Sequence, residues 1–130
     1  MIILTLRTDN PLAEIGLYND HQRIAYETWE AHRQLAESLH TKIKVLLSTI
    51  HKDWSDIEAI VIFEGPGSFT GLRIGISVAN ALAYSSGVLL CAANGDNWLN
   101  KGISMLTSGQ GQKITVPEYG SLAHITTPKK

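Results

Sequence analysis

The first thirty residues contain three short stretches whose apolar positions are spaced as in β-strands. Residues 2–8 are rich in isoleucine and leucine, and residues 12–19 alternate between apolar and polar side chains. Residues 23–30 form a third stretch of the same kind, and turn-forming segments at 9–11 and 19–22 separate the three. Connections this short predict an antiparallel meander of three strands.

The spacing of apolar residues then changes to the helical period. Large apolar residues recur every three or four positions and predict an amphipathic helix over about 33–51. The residues that form this stripe are Leu35, Leu39, Ile43, Leu46 and Ile50.

The middle of the chain has the pattern of a buried strand followed by a helix and another strand. Residues 57–65 include four consecutive large apolar residues, which is typical of a parallel strand buried on both faces. A helix is expected over about 70–86. Gly87 follows it and can adopt the left-handed conformation that ends a helix. A strand is expected over 88–93. The order β-β-β-α-β-α-β predicts an α/β domain with a mixed sheet.

Composition restricts the classes of function. The chain has 130 residues, 11 basic and 12 acidic side chains, and a net charge of −1, which argues against a strong electrostatic hold on nucleic acid. The single cysteine, Cys91, excludes an intramolecular disulfide and is expected to be a small core residue. Without a signal-type start or an apolar run of about 18 residues, we expect no membrane contact and a cytoplasmic location.

The glycine-rich segment GPGSFTGLRIG, residues 65–75, fits none of the common catalytic loops. A Walker A loop needs a lysine, and the chain has none between Asp53 and Lys101. Thr70 replaces the last glycine of a dinucleotide fingerprint, and Pro66 and Thr70 flank Ser68 where a nucleophile elbow needs glycines. Ser68 or Thr70 is better explained as a helix N-cap.

We therefore interpret this segment as structural. Pro66 presets one backbone angle, and the backbone freedom of Gly65 and Gly67 would allow a tight reversal after a buried strand. The predicted structural residues are Gly65, Pro66, Gly67, Ser68, Thr70 and Arg73. The five histidines have no spacing that predicts a shared metal ion, so neither a metal nor a cofactor is expected.

The longer segment GPGSFTGLRIGISVANALA, residues 65–83, closely resembles the signature of the TsaB (YeaZ) family, and the resemblance covers roughly residues 1–93. The resemblance implies a single actin-like (ASKHA, ribonuclease-H-like) lobe. It also implies the dimerisation subunit of the bacterial machinery that makes threonylcarbamoyladenosine in tRNA.

Two features depart from that family. Arg7 stands where members usually have an aspartate at the end of the first strand, and an arginine cannot ligate Mg²⁺. Residues 94–130 are expected to form a short helix and an extended C-terminal tail that replace the second lobe. Pro117 and Tyr119 in that tail match the family's C-terminal end, so the chain resembles a short form.

The resemblance implies a non-catalytic scaffold that binds the catalytic subunit TsaD, with the TsaE ATPase in the larger complex and tRNA contacted only indirectly. The alternatives are an actin-like ATPase or a glycoprotease-type enzyme, and a self-associating homodimer module. An actin-like enzyme holds ATP between two lobes, and this chain is expected to supply one, so no catalytic residue is assigned.

Small residues four apart on the helix over 70–86 suggest a ridge that another helix could approach closely. We expect this ridge and the large residues beside it to be the partner surface. The predicted interface residues are Phe69, Gly71, Leu72, Gly75, Ile76, Ala79 and Ala83.

Overall fold

The N-terminal half of the sheet is the expected meander. The computed structural model describes residues 1–31, 34–67 and 69–109. Strands β1 (Ile2–Arg7), β2 (Leu12–Asn19) and β3 (Gln22–Glu30) pair antiparallel in chain order. Helix α1 (Leu35–Thr49) follows, and four of its five buried residues lie on the apolar stripe predicted from the sequence; the fifth is Leu47.

The second half adds two parallel strands to the other edge of β1. Strand β4 (Ala59–Phe63) pairs parallel with β1 and with β5 (Leu89–Ala93), so the strand order is β3-β2-β1-β4-β5. All five residues of β4 are buried, as its apolar run predicted. Helix α2 (Phe69–Ser86) connects β4 to β5 and ends before Gly87, whose φ of +69° is left-handed. The predicted mixed sheet is confirmed.

Alternate side chains of the strands contribute to two separate hydrophobic clusters, one on each face of the sheet. The first cluster contains Leu4 and Ile62 together with the inward faces of α1 and α2. The second contains Ile3 and Val61 together with residues of a third helix, α3 (Trp98–Thr107). Helices therefore cover both faces of the sheet, as in an α/β layered fold.

Helix α3 is part of the same packed unit as the sheet. Its residues Trp98, Ile103 and Leu106 are buried against β4 and β5. Helix α3 lies after residue 93, where the sequence placed the end of the lobe. The extended tail that the sequence predicts lies outside the described residues, and the division of the chain at residue 93 remains a prediction. Within the described part of the chain, no helix is both long and apolar enough to cross a membrane.

Candidate functional site

The glycine-rich segment brings the end of β4 and the start of α2 against the loop that follows β1. Gly65 has φ +118°, a conformation that favours glycine, whereas Gly67 is not among the residues with positive φ. A Cβ atom on Gly67 would lie 2.5 Å from Cβ and 2.7 Å from Oδ2 of Asp9. Gly67 is therefore required by space. The explanation from backbone freedom holds for Gly65 and is wrong for Gly67.

The next two glycines of the segment make room for Thr8. A Cβ on Gly71 would overlap the carbonyl oxygen of Thr8, and one on Gly75 would overlap its hydroxyl oxygen. The hydroxyl of Thr8 donates a hydrogen bond of 2.7 Å to the carbonyl oxygen of Gly71. Thr8, the residue after β1, thus packs directly against the first two turns of α2.

The small-residue ridge of α2 consequently faces its own sheet. Leu72 and Ala79 have no exposed surface, and Ile76 and Ala83 are 3% and 2% exposed. A partner cannot contact side chains that the chain already covers, so the predicted interface at Gly71, Leu72, Gly75, Ile76, Ala79 and Ala83 is wrong. The side chain of Phe69, and Ser68 before it, lie outside the described residues.

The exposed part of α2 is a different arc, which we call the outer face. Its residues are Thr70, Arg73, Ser77, Ala81 and Tyr84. Because α2 begins at Phe69, Thr70 and Arg73 belong to this helix and not to the loop, and Thr70 is not its N-cap. Tyr84 is 87% exposed, which is unusual for a large aromatic side chain.

A groove runs between α1 and the outer face of α2. It has a volume of about 360 Å³, and we call it the α1–α2 groove; its lining residues are Ala36, Thr70, Arg73, Ile74, Ser77 and Val78. A second cavity of about 250 Å³ is lined by the loop after β1, including Asp9 and Asn10, and by the start of α2. The two cavities share Thr70 and Ile74, so they lie side by side.

Arg7 lies at the carboxyl end of β1 and is held there by a carboxylate and a ring. Its Nε donates to Oδ1 of Asp9 at 2.7 Å, and its terminal nitrogen donates to Oδ2 at 3.3 Å. The guanidinium carbon lies 3.9 Å from the centre of the Phe63 ring. The hydrogen bond with Asp9 and the nearby carboxylates of Asp9, Glu14 and Asp96 raise the pKa of Arg7, so this position carries a fixed positive charge.

The other chemically notable side chains are isolated from this region. Cys91 is buried, as expected, and burial raises the pKa of its thiol. His40 is exposed on α1 and stacks on Trp54 with ring centres 4.7 Å apart. Within residues 1–31, 34–67 and 69–109, no group of three or more side chains is placed to hold a metal ion.

Sequence reasoning missed Thr8, Asp9 and Phe63, which surround the segment it selected. Spacing offered one usable signal, because Gly67, Gly71 and Gly75 are four residues apart and so follow one line along a helix. That line indicates a close neighbour, but it does not indicate which part of the chain the neighbour is. Pairing of β1 with β4 decides this, since it places Thr8 and Asp9 beside the loop.

The comparisons with known proteins agree with this architecture. Residues 29–99, more than half of the chain, match the family model described as "TsaD: tRNA N6-adenosine threonylcarbamoyltransferase". The chain is 36% identical over 91 residues to the tRNA threonylcarbamoyladenosine biosynthesis protein TsaB of Escherichia coli, covering 66% of this chain and 37% of that protein. It is 32% identical over 95 residues to TsaB of Bacillus subtilis, covering 72% of this chain and 41% of that protein.

Solved structures give the same result. YeaZ from Pseudomonas aeruginosa superposes with a TM-score of 0.66 at 27% identity, over 72% of this chain and 43% of YeaZ. RuvC of Thermus thermophilus superposes with a TM-score of 0.53 at 12% identity, over 72% of this chain and 64% of RuvC, a likeness of fold alone. The chain spans about two fifths of the length of the TsaB and YeaZ relatives that it matches.

Proposed function

Because the chain belongs to the TsaB (YeaZ) family, we propose that it is a non-catalytic, cytoplasmic subunit of the machinery that makes threonylcarbamoyladenosine in tRNA. In this proposal its α1–α2 groove and the outer face of α2 bind a TsaD-type catalytic subunit. Contact with a TsaE-type ATPase, self-association and an indirect relation to tRNA belong to the same proposal.

The charge content of α2 is the observation that carries the proposed surface. Arg73 is the only charged residue among the 18 residues of this helix. A helix face that only contacts water usually carries several charges, whereas interface cores are depleted in them. The outer face of α2 is exposed and nearly uncharged, which favours a partner over solvent as its neighbour.

The match to the TsaD-type model supports the choice of partner. Residues 29–99 include α1, β4, α2 and β5, so a TsaD-type protein and this chain share the unit that carries the groove. Two related units can pair through the same face about an approximate two-fold axis, as subunits of symmetric dimers do. A TsaD-type protein could thus present two helices to the α1–α2 groove.

The non-catalytic part of the proposal is supported by Arg7. A guanidinium has no lone pair to offer a metal ion, and Mg²⁺ prefers oxygen ligands. Arg7 lies at the carboxyl end of β1, where open α/β sheets usually bind their ligands. Its fixed positive charge and its pairing with Asp9 make this edge of the sheet unsuited to Mg-ATP chemistry.

Size-exclusion chromatography with the TsaD-type protein of the same organism tests the proposal. We expect the two to co-elute, and we expect Ser77→Arg to abolish co-elution while the thermal midpoint of the free chain stays unchanged. Val45→Arg is the matched control, because Val45 is 50% exposed on α1 but does not line the groove. Co-elution that survives Ser77→Arg would exclude this surface, and separation of the unaltered proteins would exclude the partner.

A further inference from the structure

The Arg7–Asp9 pair joins the end of β1 to residues 63–67, which are distant from it in sequence. Asp9 accepts two hydrogen bonds from the guanidinium, and its side chain is 6% exposed, so the pair is largely shielded from water. Two parallel hydrogen bonds fix the relative orientation of a guanidinium and a carboxylate more firmly than a single one does. Pairs shielded in this way are also screened less by salt than exposed pairs.

The pair contacts the end of β4 and the start of the glycine-rich segment. Arg7 lies over the ring of Phe63, the last residue of β4, two residues before Gly65. Asp9 lies against Gly67, just before α2. Thr8, between the two charged residues, donates a hydrogen bond to the carbonyl oxygen of Gly71 in the first turn of α2. Residues 7–9 therefore contact the last residue of β4, the start of the segment and the first turn of α2.

We propose that Arg7 and Asp9 are positioning residues, whose ion pair fixes residues 65–67 and the first turn of α2 and so sets the shape of the α1–α2 groove. Asp9 lines the 250 Å³ cavity, and this cavity shares Thr70 and Ile74 with the groove. Movement of Asp9 would therefore displace the residues that border the groove. The link from the pair to partner binding rests on the function proposed above, whereas the effect on the segment does not.

Removing either charge should loosen the segment in a distinct way. In Asp9→Asn, Arg7 keeps its charge but loses its carboxylate partner, and Glu14 and Asp96 then compete for it. In Arg7→Met, the apolar stem can still cover Phe63, but the carboxylate of Asp9 is left shielded without its cation. If the residues act as a pair, the double variant should be no more perturbed than the more affected single variant.

Hydrogen exchange followed by mass spectrometry measures the effect on the segment directly. In Asp9→Asn we expect the amides of residues 73–76, whose helical hydrogen bonds hold the first turn of α2, to exchange about ten-fold faster, with the strands unchanged. Arg7→Lys should give a smaller increase, because an ammonium keeps the charge but loses the two-point geometry. Glu27→Gln is the matched control: it removes a 2.7 Å ion pair between β3 and Lys42 of α1. It should leave exchange in the segment unchanged.

The results separate the two proposals. Unchanged exchange at residues 73–76 in Asp9→Asn, or a uniform increase over all amides, would overturn the positioning role whether or not a partner binds. Faster exchange confined to the segment supports that role. If the affinity for the TsaD-type protein then stays the same, the link to the groove is wrong. If the unaltered chain binds no TsaD-type protein, the proposed function fails while the exchange result still decides the positioning role.

Discussion

Gly75 is a residue at which a single methyl group should matter. A Cβ there would overlap the hydroxyl oxygen of Thr8 and lie 3.0 Å from two of its carbons. Alanine favours an exposed helix over glycine by about 1 kcal/mol, but overpacking a closed contact costs about 1–3 kcal/mol. We therefore expect Gly75→Ala to lower the free energy of unfolding, measured by urea denaturation.

Ser77→Ala is the control for this change, because Ser77 is exposed on the same helix and adds no contact to β1. Its free energy of unfolding should stay within about 0.5 kcal/mol of the unaltered chain. A Gly75→Ala variant that is more stable than the unaltered chain would show that α2 and β1 can move apart without lowering the free energy of unfolding.

A second residue-scale expectation concerns Cys91, a residue that is 1% exposed. Burial raises its pKa above the ordinary value of 9.0, so the folded chain holds this proton to higher pH than the unfolded chain does. The raised pKa adds to the free energy of unfolding. This contribution is fully present below the pKa of the unfolded thiol and is lost as pH rises through the pKa of the folded thiol. Between pH 8 and pH 10, the unaltered chain should lose more stability than Cys91→Ala, as followed by denaturant titration at each pH.

The same burial predicts slow chemistry at the thiol. Alkylation at neutral pH should proceed only as fast as the chain unfolds, because the reactive thiolate is scarce and covered. Rapid labelling of the native chain would contradict both the burial and the raised pKa of Cys91.

At the scale of single elements, α3 provides the clearest test of where the lobe ends. Ile103 is 2% exposed and packs with Val61 and Cys91 in the second hydrophobic cluster. Truncating a buried isoleucine typically costs about 2–5 kcal/mol, so Ile103→Ala should strongly destabilise the whole chain. Calorimetry should show one transition at a lower temperature, with Ser104→Ala, exposed on the same helix, as the control. A chain that kept its midpoint would place α3 outside the cooperative unit.

The elements were predictable from sequence to the extent that local pattern determines them. Three elements were located within a few residues of their observed bounds. Alternation in 12–19 predicted β2, the apolar run predicted β4, and the helical stripe predicted α1. Helix α2 was located correctly, but its orientation was not. Its apolar residues surround most of its circumference, so pattern alone cannot say which side meets the sheet. Thr8, in the loop after β1 and more than sixty residues away, decides this by occupying the space beside Gly71 and Gly75.

The charged pair at the end of β1 illustrates the same limit at the site. Sequence reasoning identified Arg7 as a residue that cannot ligate Mg²⁺, and the chemistry of the guanidinium supports this. It did not identify Asp9 as the partner, because it placed Asp9 in a turn, and a turn signal does not show where a side chain points. The strand ends at Arg7, and the turn that follows brings the carboxylate back to the guanidinium.

At the scale of the whole molecule, the inability of Arg7 to ligate Mg²⁺ leads to a prediction about ATP turnover. We expect the purified chain to show no turnover of Mg-ATP above a buffer blank in a coupled phosphate assay. The reason is electrostatic, since the fixed positive charge at the carboxyl end of β1 opposes a cation there. Turnover that disappears in Arg7→Ala would favour the actin-like ATPase alternative over the scaffold.

Self-association and partner binding should compete if they use one face. The outer face of α2 is nearly uncharged and is the proposed surface for both, so a copy of the chain and a TsaD-type protein would exclude each other there. Light scattering at increasing concentration should therefore show dimers that a TsaD-type protein converts into complexes containing one copy of this chain. Tyr84→Arg, at an 87% exposed position, should weaken both associations together without changing the thermal midpoint. A complex that contains two copies of this chain bound to each other would show that two separate surfaces are involved.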